Sequence, residues 1–169
     1  MKMKFKKPYI EPLPKGMTIE NPHALISTWF GCGLIRPAPG TMGSLAAIPF
    51  GYAINYYTHP AFLLLAALIL FIASAYSVKI YGKKSGIVDN QSIVVDEVIG
   101  MWIAGAAAFT SIYLWIWAFL LFRFFDIRKP WPASFFDKKV KNCFGVIMDD
   151  VVAGFYALLG VSIFAININ

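Results

Sequence analysis

Charge is what this sequence has least of. Only 14% of its 169 residues are Asp, Glu, Lys or Arg, and 59% are apolar, whereas soluble domains average about 25% charged and about 45–50% apolar. Such a chain cannot cover itself with a solvated surface, so it is expected to be embedded in a membrane wholly or in part. Cysteine and histidine are scarce too, with two of each: Cys32, Cys143, His23 and His59. Without CxxC spacing this excludes a zinc site or a disulfide framework. Neither cysteine has a histidine beside it, which leaves a thiol nucleophile without support. There is no internal repeat, and no apolar stretch follows the basic start "MKMKFKK". The next residues, "PYIEPLPKGMTIENP", are proline-rich and polar, so a cleaved signal peptide is not expected. Residues 1–20 read as a basic, proline-containing arm and residues 21–169 as one domain. The net charge is +6, but the Lys and Arg residues fall between apolar segments rather than in one aromatic-interleaved patch. Anionic lipid headgroups account for them better than nucleic acid does.

What is present in quantity is apolar sequence in helix-length runs. Asn21-Pro22 reads as N-cap and first residue of a short interfacial helix ending near Gly31 or Gly33. Longer apolar segments follow at about Met42 to Tyr57, Ala61 to Tyr81, Val98 to Phe122 and Ile147 to Ile166. The third of these is read as two helices meeting at Thr110-Ser111, with one long helix as the alternative. The expected fold is therefore all-α, a polytopic membrane bundle of about five apolar helices. Every Lys and Arg lies in the N-terminal arm or beside alternate ends of these segments. By the positive-inside rule the N-terminus and all basic loops are expected on the cytoplasmic side, with the turn at His59, the turn at Thr110 and the C-terminus opposite.

On the same side this topology places five of the nine carboxylates: Asp96, Glu97, Asp126, Asp149 and Asp150, all read as lying at helix ends. The other four, Glu11, Glu20, Asp89 and Asp137, fall in polar stretches and call for no special account. Ser92 is expected to cap the helix carrying Asp96 and Glu97, whose acids could then merely offset its dipole. Arg123 and Asp126, three apart, could be a plain surface ion pair. Thr41 and Ser44 either help an N-terminal anion site or cap the first long helix, with capping put first. Yet carboxylates gathered at low dielectric repel one another unless a cation sits among them. Asp149 and Asp150 point about 100° apart on a helix, so one can ligate while the other supports it. Hard oxygen donors without His or Cys suit Mg²⁺, which also binds substrate phosphate. Arg123, Arg128 and Lys129 would then form the anion-binding half. Lys129 precedes Pro130 and is expected to reach in from a helix end. Phosphate-ester chemistry on a lipid follows from that combination. A small cation transporter would carry its acids nearer mid-segment. The signature motifs of histidine-dependent phosphatidate phosphatases, haloacid-dehalogenase phosphatases and CDP-alcohol phosphotransferases are absent.

Four motifs in order, "PGTMGSLAAIP" (Pro39 to Pro49), "DEVIGMW" (Asp96 to Trp102), "RFFDIRKPWP" (Arg123 to Pro132) and "GVIMDDVVAG" (Gly145 to Gly154), span nearly the whole chain. On these the sequence resembles the phosphatidylglycerophosphatase A family. The resemblance implies an Mg²⁺-dependent phosphatase of the bacterial cytoplasmic membrane that converts phosphatidylglycerophosphate to phosphatidylglycerol. It carries family acids and bases onto Asp96, Glu97, Arg123, Asp126, Lys129, Asp149 and Asp150. The expected metal ligands are Asp96, Glu97, Asp149 and Asp150, and the expected phosphate-binding residues Arg123 and Lys129. The attacking group is either water activated by the metal or an aspartate. One departure stands out: Asn142 and Cys143 occupy positions where the family usually has two glycines.

Overall fold

The structure, a computed structural model, describes residues 9–87, 90–140 and 142–168. The first eight residues of the basic arm, Asp89 and Lys141 lie outside the described residues. The chain is nearly all helical. A two-residue strand β1 (Tyr9–Ile10) pairs antiparallel with β2 (Ile35–Arg36), with Tyr9 opposite Arg36. Between them lie the short helix α1 (Pro22–Ser27) and a 3-10 turn. The bundle consists of α2 (Pro39–Tyr57), α3 (Pro60–Ser85), α4 (Val95–Gly105), α5 (Ile112–Arg128), α6 (Ala133–Lys139) and α7 (Cys143–Ile168).

Local chemistry explains most of the boundaries. Asn21 caps α1, its side chain accepting from the backbone N–H of His23 at 3.0 Å, and α1 ends at Ser27, earlier than expected. His59 and Ser111 cap α3 and α5 in the same way. Gly86, in the left-handed conformation, ends α3. The apolar stretch after Val98 does divide at Thr110-Ser111: α4 gives way to a 3-10 turn at Ala106–Ala108, and α5 starts after Ser111.

Two capping expectations fail. The N-cap of α4 is Val94, without a side-chain bond, because Ser92 is engaged instead by the Arg36 guanidinium at 3.4 Å. Thr41 and Ser44 lie inside α2, which begins at Pro39, and the Ser44 hydroxyl donates back to the Gly40 carbonyl. Pro39 is at the first turn, where its missing N–H costs nothing. α4 and α7 likewise begin earlier than expected, so Asp149 and Asp150 stand almost two turns inside α7 rather than at its end. The reason is Asn142: its side-chain oxygen accepts from the backbone N–H groups of Phe144 and Gly145, both at 3.0 Å. The residue that departs from the family's glycine pair thus takes up orphan donors of the α7 N-terminus.

The outside of the molecule is apolar. Leu65, Leu68, Ile69, Ile72 and Tyr76 on α3, and Phe155, Leu159 and Ile163 on α7, are exposed, while Asp96, Asp149 and Asp150 are buried. So many exposed large apolar side chains are unusual for a solvated surface. Two helices are long and apolar enough to cross a membrane, Pro60–Ser85 and Cys143–Ile166. The 26 residues of α3 extend about 39 Å at about 1.5 Å each, against a hydrocarbon core of about 30 Å. α4 has 11 residues and is enclosed along nearly its whole length by the other helices.

Within the bundle α4 and α7 run in the same direction and meet at a pair of glycines. A Cβ built on Gly154 would lie 2.6 Å from the carbonyl oxygen of Gly100, and one on Gly100 would lie 2.7 Å from the carbonyl oxygen of Asp150. Small residues at such a crossing let two backbones touch. Asp96 is four residues before Gly100, and Asp150 four before Gly154. One helical turn separates each acid from its glycine on the same face, so the crossing itself draws the two carboxylates together.

Candidate active site

The starts of α2, α4 and α7 and the end of α5 meet around a cavity of about 350 Å³. Six carboxylates line it: Asp96, Glu97, Asp126, Asp137, Asp149 and Asp150. Two cations face them, Arg123 and Lys129. All five acids expected from the sequence converge here, together with both expected phosphate-binding residues. The turns carrying His59 and Phe109 lie together with Ile166 at a separate apolar cavity.

The acids divide into two groups. Asp96, Glu97 and Asp150 can each offer one oxygen such that all three lie within 4.8 Å of one another, a spacing that a single cation can bridge. Asp96 also accepts from the backbone N–H of Glu97 at 3.1 Å, and Glu97 Oε2 is sealed from solvent with no hydrogen-bond partner among the described residues. An ionised oxygen left in that state is costly unless a cation completes it. Gly40 seals this side, since a Cβ there would overlap Glu97 Oε1 and lie 3.2 Å from Arg123 Nη1. The residues present therefore fit a metal ion, and all their donors are hard oxygens.

Asp149 belongs to the second group. Its Oδ2 accepts from Lys129 Nζ at 2.6 Å, and its Oδ1 from the backbone N–H of Asp150 at 3.1 Å. Lys129 also donates to Asp137 at 2.6 Å. Asp137, on α6, was passed over in the sequence because it sits among lysines in a polar stretch; only the folding of α6 back over α7 reveals its role. Burial by itself lowers the affinity of the Lys129 ammonium for its proton. The hydrogen bonds and charges of Asp137 and Asp149 outweigh that, and the net shift is upward, so Lys129 is held as a cation throughout the working pH range. It reaches the site as expected from the end of a helix: it is the C-cap of α5, in the left-handed conformation at φ 44°. That geometry costs a non-glycine residue roughly 1–2 kcal/mol, and Pro130 behind it stops the helix from continuing.

Arg123 and Asp126 do form the i,i+3 ion pair, at 2.5 Å, but not on a solvated surface. Asp126 interacts in turn with Asp150, which joins the α5 pair to the acidic triad. Arg128 points away, its guanidinium lying over the Phe124 ring at 5.6 Å, and takes no part in the cavity. Cys32 and Cys143 are free thiols that do not line it, and burial pushes the Cys32 thiol up from its ordinary range, the wrong direction for a nucleophile.

Fold and site together define a class: a helical bundle with an apolar exterior, whose polar cavity sets a carboxylate cluster able to bind a metal against two cations able to bind an anion. Comparison with known proteins gives the class its family. The family model for phosphatidylglycerophosphatase A matches residues 25–165. The chain is 41% identical to phosphatidylglycerophosphatase A of Haemophilus influenzae over 149 residues, covering 88% of this chain and 91% of the relative. It is 42% identical to phosphatidylglycerophosphatase A of Escherichia coli over 139 residues, covering 82% and 80%. No solved structure matches the chain. The chain belongs to the phosphatidylglycerophosphatase A family, a family of phosphoric monoester hydrolases.

Proposed function

We propose that this protein hydrolyses the terminal phosphomonoester of phosphatidylglycerophosphate, giving phosphatidylglycerol and inorganic phosphate, with Mg²⁺ held in the acidic cavity. The observation that carries this is the convergence, among the described residues, of six carboxylates on two cations in a chain of this family. An excess of negative charge in a confined cavity calls for a divalent cation, and the two basic groups beside it suit a phosphate. Asp96, Glu97 and Asp150 would hold the ion. Asp149, expected from the sequence as a ligand, is assigned instead to fixing Lys129. When bound, Mg²⁺ would supply Lewis-acid polarisation of the phosphoryl group and a lowered pKa for water.

The chain's own residues do the rest. Arg123 has five N–H donors in a rigid fork. Asp126 engages one edge and so orients the remaining donors, which bind the phosphomonoester oxygens. Lys129 has three donors, of which Asp137 and Asp149 take two, and the third goes to the same phosphate. Developing negative charge on the phosphoryl oxygens thus meets two fixed cations that need no rearrangement.

The apolar exterior and the basic residues near one end of the bundle support a membrane-embedded bundle of five apolar helices in residues 21–169, in which the 11-residue α4 is too short to cross a core of about 30 Å and is inserted only in part. The N-terminus and the active site would face the cytoplasm and the C-terminus the opposite side, in the bacterial cytoplasmic membrane. The test is phosphate release from detergent-solubilised phosphatidylglycerophosphate. Activity is expected with Mg²⁺ and is expected to vanish with excess chelator and return when Mg²⁺ is restored. Full activity in chelator would overturn the metal assignment.

Replacement of Arg123 by lysine separates a phosphate ligand from a mere partner of Asp126. Lysine keeps the charge and can still pair with Asp126, but it loses the planar fork. Loss of a charged donor to phosphate costs about 1.5–3 kcal/mol, so Arg123→Lys is expected to lower kcat/KM roughly ten- to a hundredfold at saturating Mg²⁺. Near-wild-type activity in a well-folded preparation would take Arg123 out of the substrate's reach.

A further inference from the structure

The loop before α4 carries a residue that the acid–cation constellation does not use. Gln91 sits in a tight turn in which the backbone N–H of Ser92 donates to Asn90 Oδ1 at 2.9 Å and that of Ile93 to the Asn90 carbonyl at 2.8 Å. Its side chain lines the acidic cavity and also an adjoining one of about 260 Å³, formed with Tyr9, Glu11, Arg36 and Pro37. It is therefore part of the wall between them.

Arg36 stands on the far side of that wall. It is buried, forms an ion pair with Glu11 through both Nε and Nη2, and donates from Nη1 to Gln91 Oε1 at 2.9 Å. The N-terminal arm is what fixes this arrangement: β1 pairs with β2 at Tyr9 and Arg36, and the backbone N–H of Glu11 donates to the Leu34 carbonyl at 2.8 Å. Arginine has donors only, so the Gln91 amide must present its oxygen to Arg36. Its NH₂ group, with two donors, is left over and has no partner among the described residues. A cavity with six carboxylates receives an anionic headgroup poorly, and a neutral amide donor at its rim attracts acceptor oxygens without adding a charge.

We propose that Gln91 binds the lipid headgroup, its NH₂ donating to a headgroup oxygen, and that Arg36 is a positioning residue, itself clamped by Glu11, that turns the amide the right way round. The proposal rests on the substrate reading given above. It makes the N-terminal arm part of substrate recognition although the arm contributes no residue to the metal cluster or to the phosphate-binding pair.

Steady-state kinetics on phosphatidylglycerophosphate in mixed micelles test it, with thermal melting to confirm that each variant is folded. Gln91→Ala is expected to raise KM about three- to tenfold, the worth of one neutral hydrogen bond, with a smaller change in kcat. Gln91→Glu is the sharper variant. Glutamate offers Arg36 a better partner, so a purely structural tie would survive it, whereas the donor to the headgroup is lost and KM should rise at least as far. Arg36→Lys keeps the charge opposite Glu11 but not the fork, and should raise KM to a similar extent. Combined with Gln91→Ala it should add nothing further. KM within twofold of wild type in both Gln91 variants would overturn the proposal, and additive effects in the double variant would remove Arg36 from it. Wild-type protein that releases no phosphate from this lipid would instead overturn the substrate reading, and this inference with it.

Discussion

Asp150→Asn is expected to lower phosphatase activity about a thousandfold while leaving the protein at least as stable without Mg²⁺. The two effects have opposite signs because Asp150 does two opposed things. Its carboxylate is buried, is near enough to Asp96 and Glu97 to share one ion, and interacts with Asp126. Without a cation these groups repel one another in a medium of low dielectric. Asparagine has nearly the same shape, so the substitution leaves the crossing with α4 intact and removes one of the repelling charges. On the proposed assignment, the loss with Mg²⁺ present would be that of a metal ligand, and an ion's stabilisation of transition-state charge is worth several kcal/mol. At about 1.4 kcal/mol per factor of ten, a loss of about 4 kcal/mol is a thousandfold. The measurement is phosphate release over a Mg²⁺ titration, paired with thermal melting in chelator. Activity within tenfold of wild type would remove Asp150 from the metal cluster. A fall in metal-free stability as large as the fall in activity would mean that the carboxylate serves the fold rather than the chemistry.

Gly154→Val is expected to abolish activity by a different route, without touching any charged group. The first atom of any side chain at this position would lie 2.6 Å from the Gly100 carbonyl oxygen and 2.9 Å from its Cα. These are backbone atoms of a fully enclosed helix, so they cannot swing aside as a side-chain tip could. Overpacking in a core costs about 1–3 kcal/mol where neighbours can adjust, and here α4 and α7 must move apart. Asp96 and Asp150 lie one turn from this contact, so the separation pulls apart the carboxylates proposed to share one ion. The expected outcome is a lowered melting temperature together with phosphatase activity that raised Mg²⁺ restores poorly, since the ligands no longer close on one ion. Gly154→Val with wild-type stability and activity would show that the helices are not in backbone contact there. Gly86→Ala is the useful contrast: Gly86 has open space around it and a left-handed backbone at φ 75°, so alanine there should cost only about 1–2 kcal/mol and leave the site unaffected.

The sequence by itself determined the helical class, the division of the chain at Thr110-Ser111, the capping of the first short helix by Asn21 and the convergence of Asp96, Glu97, Asp126, Asp149 and Asp150 with Arg123 and Lys129. These follow from composition, from local turn and cap chemistry, and from a topology in which alternate segment ends share one side. They need no knowledge of which helix touches which. The tertiary structure alone decided how those charges divide. Asp149 pairs with Lys129 while Asp150 joins Asp96 and Glu97, because the α5 end packs against one of these adjacent acids and α4 against the other. Asp137 enters the cavity because α6 folds back over α7, an event without local signal among the lysines that follow it. Glu11, dismissed with the other polar-stretch acids, proves to be the partner of Arg36, a contact between residues 25 apart. Ser92 and Thr41 looked like helix caps on local grounds and are not, since Arg36 draws the one into its network and Pro39 starts α2 ahead of the other. The feature that draws Asp96 and Asp150 together, the contact of Gly100 with the Asp150–Gly154 turn, is a matter of backbone approach between elements about a third of the chain apart, which no periodicity or local preference encodes.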